Sequence, residues 1–145
     1  MRYDIAIVGS GPAGLSAAVN AKIRNKKIIL FGNENLSNKL QKAPEINNYL
    51  GFYEISGEEL KDKFKNHVDS MGIEITNHKI TNIYAMGDYF ALISGENMFE
   101  AITVILATGI QYGKPIKGEE EYLGRGVGYC ATCDAPLYRD KRVAI

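Results

Sequence analysis

An α/β fold that opens with a parallel β-α-β unit is what this sequence predicts, and three observations predict it. YDIAIV (Tyr3–Val8) alternates and is rich in β-branched residues, so it reads as a buried strand. GSGPAG follows at once, and the stretch LSAAVNAKI has the alanines of a helix lying close on a sheet, with Leu15, Val19 and Ile23 as its apolar residues. KIILF (Lys27–Phe31) is a second buried strand, so strand, glycine turn, helix and strand fit within about 30 residues.

The later elements follow from local signals. Residues 32–56 scatter Asn, Ser, Gly and Pro and are expected to be irregular. Ser56 with Glu59 three positions on is a capping box for a helix whose Leu60, Phe64, Val68 and Met71 share one face, and Gly72 stops it. That apolar stripe is core, and the charges opposite it are a solvated face. IEIT, KITNIYAM, DYFALIS and MFEAITVILATG then read as strands, broken by turn signals at Gly87-Asp88 and Gly95-Glu96-Asn97. The last three suggest an antiparallel meander laid against the nucleotide-binding sheet. QYGKPIKGEEEYLGRGVGY has the glycine and charge content of a linker. KRVAI at the end looks like a strand beginning, which leads us to expect a longer polypeptide.

Bulk properties narrow the function. The 145 residues are 46% hydrophobic and 23% charged, and 17 Lys plus Arg balance 17 Asp plus Glu. No basic field recommends nucleic acid or an anionic membrane. Apolar runs such as ITVILA stop far short of the roughly 18 residues of a membrane span. MRYDIAIVGSG, with Asp4 and early glycines, is not a secretion signal. Two cysteines in one C-x-x-C are too few for a disulfide scaffold and suit a reducing compartment, so the expected location is cytoplasmic.

Two motifs carry chemistry. Gly9, Gly11 and Gly14 form G-x-G-x-x-G after a strand and at the opening of a helix. The first glycine permits the tight turn, the second lets a pyrophosphate approach the backbone, and the third lets helix and strand pack closely. The helix start offers oriented N–H groups to the phosphate. Bland use of the glycines as a tight turn needing small residues is the competing reading. The acidic residue that holds a ribose hydroxyl about 20 positions on is missing from the strand end, which is Phe31-Gly32; Glu34 comes two residues late.

Cys130 and Cys133 are the only cysteines, and Asp134 follows them. Their spacing lets two sulfurs cycle between dithiol and disulfide, with the thiolate as the reactive form. Asp134 has the chemistry to move the proton that such exchange gains and loses. Half a zinc site is the main competitor, but the second cysteine pair is absent, and two inert buried cysteines are the other competing reading. His67 on the amphipathic helix and His78 in a turn read as surface residues rather than ligands. A dinucleotide and a dithiol in one chain imply electron relay, and a flavin can accept two electrons and hand them to a disulfide. FAD is therefore favoured over NAD.

With these residues in view, the sequence resembles the low-molecular-weight thioredoxin reductase family along essentially its whole length. The resemblance rests on VGSGPAGLSAA (Val8–Ala18), NNYLGF (Asn47–Phe52), ISGEEL (Ile55–Leu60), VILATG (Val104–Gly109) and GRGVGYCATCDAPLYRDKRVAI (Gly124–Ile145). It implies a Rossmann-like FAD-binding domain with an antiparallel meander, discontinuous, with residues 1–112 as its first part and residues 113–145 as linker, redox C-x-x-C and the start of a second, nucleotide-binding-like domain. FAD contacts carry over to Gly9, Gly11, Pro12, Ala13, Gly14, Leu40, Asn48, Ala107, Thr108 and Gly109. The redox role carries over to Cys130 and Cys133 and proton transfer to Asp134. A homodimer and thioredoxin as substrate are implied in the same way. The chain departs from the family at Ser37-Asn38-Lys39, where Gly-Gly-Gln is usual, and at Leu50, where Pro is usual. No NADPH-binding glycine motif is visible. FGNENLSNKL and INNYLGF are similar to the clostridial ferredoxin-dependent flavin enzymes, so reduced ferredoxin is the expected donor. Two alternatives stand beside it. One is an NADPH-linked reductase of thioredoxin, a peroxiredoxin or another disulfide partner, and the other is a flavin-binding electron-transfer or sensor module without turnover.

Overall fold

Two clusters of side chains, one on each face of a short parallel sheet, organise the first part of the chain. β1 (Arg2–Val8) pairs in parallel with β2 (Ile28–Phe31) and, on its other side, with β6 (Asn97–Leu106). β3 (Ile75–Thr76) adds to β2 in parallel, while β5 (Phe90–Ser94) and β4 (Asn82–Ala85) continue from β6 antiparallel. The order is β3-β2-β1-β6-β5-β4. The computed structural model describes residues 1–36, 38–41, 43–110, 115–122, 125–128 and 138–144. Backbone contacts divide the chain into two units, Met1–Gly109 and Ile110–Ile145.

Alternation along β1 and β2 explains the two clusters. Ile7 and Leu30 point to one face, where Leu15 and Ala18 of α1 (Pro12–Ile23) and Val68 of α3 (Gly57–Ser70) close over them with Leu36 and Ile73. Ala6, Ile29 and Phe31 point to the other and meet Leu92 and Ala101 of the meander, with Phe90, Phe99 and Ile83 beside them. Phe31 and Phe99 meet edge to face at 4.9 Å. The predicted meander is therefore present and covers the face opposite the helices. It is also hydrogen-bonded into the same sheet, because β6 pairs with β5 through Asn97–Ala101 and with β1 through Glu100–Leu106. Strands covered on both faces read as continuous apolar runs, which is why YDIAIV and KIILF stood out.

Several expectations need correction. Ile23 was grouped with Leu15 and Val19 as an apolar residue suited to packing on the sheet, but it is exposed, and the buried residues of α1 are Gly14, Leu15, Ala18 and Ala21. The helix lies so close to the sheet that small side chains form its contact line. Residues 32–56 are not wholly irregular: α2 (Asn38–Gln41) lies within them, and Ile46–Ile55 and Tyr49–Phe52 form antiparallel bridges of a small hairpin. The segment read as linker contains α4 (Glu119–Tyr122), whose Glu119 carboxylate accepts the Ile116 N–H at 2.9 Å. Residues 141–144 are not in a strand; extended chain becomes strand only when a neighbour takes its hydrogen bonds.

The capping box is present as read. Ser56 Oγ accepts the Glu59 N–H at 3.2 Å, and the Glu59 carboxylate accepts the Ser56 N–H at 3.2 Å and its hydroxyl at 2.8 Å. These bonds hold the Glu59 carboxyl below its ordinary value, the Ser56 hydroxyl first among them. His67 is exposed, as expected. His78 is not a surface residue: it is half-buried, with Nδ1 3.3 Å from Ser94 Oγ and its ring 5.3 Å from that of Phe99. Among the described residues no helix is long and apolar enough to cross a membrane.

Candidate functional site: the glycine turn at the strand ends

The C-terminal ends of β1, β2 and β6 lie side by side, and a glycine follows β1 and β2 directly. The Gly9 N–H donates to the Phe31 carbonyl at 2.8 Å, and the Ala107 N–H donates to the Val8 carbonyl at 2.8 Å. Neighbours of β1 leave it in opposite directions along the sheet, to β2 on one side and β6 on the other. Open α/β sheets bind ligands in the crevice at such a reversal.

Each glycine of the motif has a separate physical reason. Gly9 has φ +117°, and a Cβ there would overlap the Ala107 carbonyl. A Cβ on Gly14 would overlap the Gly9 carbonyl and touch the Ala107 Cβ at 3.4 Å. Gly9, Gly14, Ala107 and Thr108 are thus packed into one knot of backbone. Gly11 differs, since a Cβ there would meet nothing within 4 Å. It is the N-cap of α1, with no side-chain cap and Pro12 at the first helical position. The two long helices contrast: α3 satisfies its first turn with Ser56 and Glu59, whereas the first turn of α1 has no side-chain cap, and the position of its N-cap Gly11 is open. A pyrophosphate fits that arrangement, because it supplies the missing acceptors and needs a position without a side chain.

The other predicted contacts are placed as follows. Pro12 and Ala13 begin α1, and Thr108 and Gly109 are exposed just past β6. Leu40 lies in α2, where its carbonyl is so close to Gly57 that a Cβ on that glycine would overlap it. Asn48 is exposed on the hairpin between Ile46 and Ile55. Cys130, Cys133 and Asp134 lie outside the described residues. A cleft lined by Tyr3, Lys22, Lys27 and Glu74 opens at the opposite, N-terminal edge of β1 and β2.

One residue of the turn escaped the sequence reading. Ser10 is buried, its hydroxyl donates to the Asn33 carbonyl at 3.0 Å and it accepts the Asn33 N–H at 3.0 Å. No local pattern marks a hydroxyl that bonds backbone 23 residues away.

A family model for pyridine nucleotide-disulphide oxidoreductases matches residues 3–145. The chain belongs to that family. Within this oxidoreductase family its relatives are thioredoxin reductases, as the resemblance implied. It is 38% identical over 145 residues to the thioredoxin reductase of Treponema pallidum, covering 99% of this chain and 47% of that protein. Among solved structures, a ferredoxin-flavin thioredoxin reductase from Clostridium acetobutylicum is 66% identical with a TM-score of 0.77, over 95% of this chain and 48% of that one. The thioredoxin reductase from Streptococcus pyogenes is 37% identical with a TM-score of 0.81, over 96% and 46%. The chain thus spans about half the length of the relatives it matches.

Proposed function

We propose that the polypeptide carrying this chain is a flavoprotein thioredoxin reductase whose donor is reduced ferredoxin. One observation carries the reading: the uncapped start of α1, open at Gly11, is locked against the end of β6 in a chain that also bears the C-A-T-C-D run. The site would hold FAD through Gly9, Gly11, Pro12, Ala13, Gly14, Ala107, Thr108 and Gly109, with Leu40 and Asn48 as further contacts. When bound, FAD supplies a carrier that takes up two electrons and releases them to a disulfide.

The chain's own part is thiol chemistry. The Cys130–Cys133 disulfide accepts two electrons and two protons and opens to a dithiol. Asp134 holds and moves one of those protons between its carboxylate oxygen and a cysteine Sγ. One thiolate attacks the thioredoxin disulfide and forms a mixed disulfide; the other displaces it, so reduced thioredoxin leaves and the Cys130–Cys133 bond re-forms. Residues 1–112 form the first part of the FAD domain in this reading, and 113–145 lead into a second domain of a cytoplasmic homodimer.

The donor is the finer step. The 66% and 64% identities to ferredoxin-flavin thioredoxin reductases support ferredoxin, against 28–38% for the proteins named only thioredoxin reductase. The family description favours a pyridine nucleotide as the second reading. Both are tested by assaying the full polypeptide with thioredoxin and each donor. Thioredoxin thiols are expected with reduced ferredoxin and not with NADPH, and Cys130→Ser and Cys133→Ser are each expected to abolish them. Turnover with NADPH alone removes ferredoxin from the proposal. Unchanged turnover in Cys130→Ser removes the dithiol itself.

A further inference from the structure

The cleft at the N-terminal edge of β1 and β2 is well separated from the glycine turn and gathers three ammonium groups. Its volume is about 330 Å³, within the range of small-molecule sites, and Lys22, Lys26 and Lys27 line it together with Tyr3 and Glu74. α1 has 12 residues, so its end at this cleft lies about 18 Å from its start at the turn. Nothing in the flavin reading uses these side chains.

The lysines stand on fixed backbone. α1 ends in a Schellman motif: Asn25 takes φ +55°, its N–H donates to the Lys22 carbonyl at 2.9 Å, and the Lys26 N–H donates to the Ala21 carbonyl at 3.1 Å. One residue on, the Lys27 N–H donates to Asp4 Oδ2 at 2.8 Å, and the Lys27 carbonyl accepts the Asp4 N–H at 2.8 Å. The three side chains differ in what holds them. Lys22 Nζ donates to the Gly72 carbonyl at 3.4 Å, and Lys27 Nζ lies 5.3 Å from the centre of the Tyr3 ring. Among the described residues the Lys26 ammonium has no hydrogen bond, ion pair or ring contact. Arg24, in the same segment, does not line the cleft; its Nη1 donates to the Asn20 carbonyl at 2.9 Å.

A helix C-terminus attracts cations, so Lys22 in the last turn has an ordinary use. That end carries only about half a negative charge, and Glu74 is the one carboxylate lining the cleft among the described residues. Three ammonium groups exceed both together, which leaves a positive excess with no anion beside it. Lysine presents a point charge on a flexible stem, suited to a compact anion, whereas arginine offers a flat fork for paired hydrogen bonds. We propose that this cleft binds a dianionic phosphate group, free or on a small organic ester, between Lys22, Lys26 and Lys27, with Tyr3 beside any organic part.

Calorimetry on the full polypeptide as purified, at low salt, with inorganic phosphate and phenyl phosphate as probes, tests this. One saturable site per chain is expected. Lys26→Ala disturbs no contact that holds the fold and is expected to weaken binding about fivefold, the upper range for an exposed ion pair. Glu74→Gln is expected to strengthen it severalfold, a gain that a merely structural glutamate would not give. Arg24→Ala removes the same charge from the same segment but outside the cleft, and should leave the affinity essentially unchanged. Tighter binding of phenyl phosphate identifies an organic phosphate as the occupant, and equal binding of both probes identifies free phosphate. Equal losses in Lys26→Ala and Arg24→Ala would reveal a diffuse field in place of a site. An affinity indifferent to both Lys26→Ala and Glu74→Gln would put the anion elsewhere on the protein. Either result, or no saturable binding of either probe, overturns the proposal and leaves the flavin reading untouched.

Discussion

Three glycines written identically in the sequence do three different jobs, and single substitutions should separate them. Gly14 has the Gly9 carbonyl where its Cβ would go. Gly14→Ala must therefore push α1 off the sheet, at a cost of about 1–3 kcal/mol, typical of overpacking. Gly11 has open space and φ −77°, which alanine adopts freely. Gly11→Ala is expected to change stability by no more than about 0.5 kcal/mol. Flavin retention should show the opposite sensitivity, since the Gly11 methyl would stand where phosphate approaches. Urea unfolding and the ratio of flavin to protein after purification read both effects. A Gly11→Ala protein with its full complement of flavin would show that phosphate does not come near this position.

Among the elements, α3 carries the clearest prediction because it caps itself. Ser56→Ala removes the acceptor for the Glu59 N–H and the partner of its carboxylate. The loss expected is about 1 kcal/mol, the ordinary worth of an N-cap serine. The pH dependence has a definite sign. Glu59 titrates below its ordinary value when folded, so its contribution is complete above that value and fades as pH falls through the folded one. Ser56→Ala should flatten stability in this acidic window and leave the slope near neutrality unchanged; denaturant midpoints from pH 6 down to 3 measure it.

This element was legible because its signals are local: a serine, a glutamate three residues on, and a stripe at helical spacing. The β1-α1-β2 unit was legible for the same reason. What escaped depends on contacts between distant segments. α2 lies against Gly57 at the start of α3, the hairpin closes through Ile46 and Ile55, and His78 is half-buried by Phe99 from β6. At the site, Gly9, Gly11 and Gly14 spoke for themselves. Ala107, Thr108 and Gly109 entered only by resemblance, because nothing local says that β6 lies beside β1. Ser10 was silent in both ways.

At the scale of the first unit, Met1–Gly109, the two cores share their strands, and this predicts how it unfolds. Ile7 and Leu30 serve the helix side, while Ala6, Ile29 and Phe31 serve the meander side, alternating along the same β1 and β2. β6 is common to the parallel sheet and the meander, and its end also packs on Gly9. The meander therefore has no core of its own to fall back on, and the helices have no sheet without β1 and β2. Leu92 is fully buried on the meander side. Leu92→Ala leaves a cavity there, with an expected loss of about 2–5 kcal/mol. The loss should appear in one transition of this unit, with the glycine turn opening alongside the meander, because the strands that carry one carry the other. Hydrogen exchange reads it locally: the Gly9 and Ala107 amides, bonded to Phe31 and Val8, should lose protection together with those of Leu92 and Phe99. If Leu92→Ala released the meander amides alone and left Gly9 and Ala107 protected as before, the meander would be a separate cooperative unit, and the site would owe its rigidity to the helix side only.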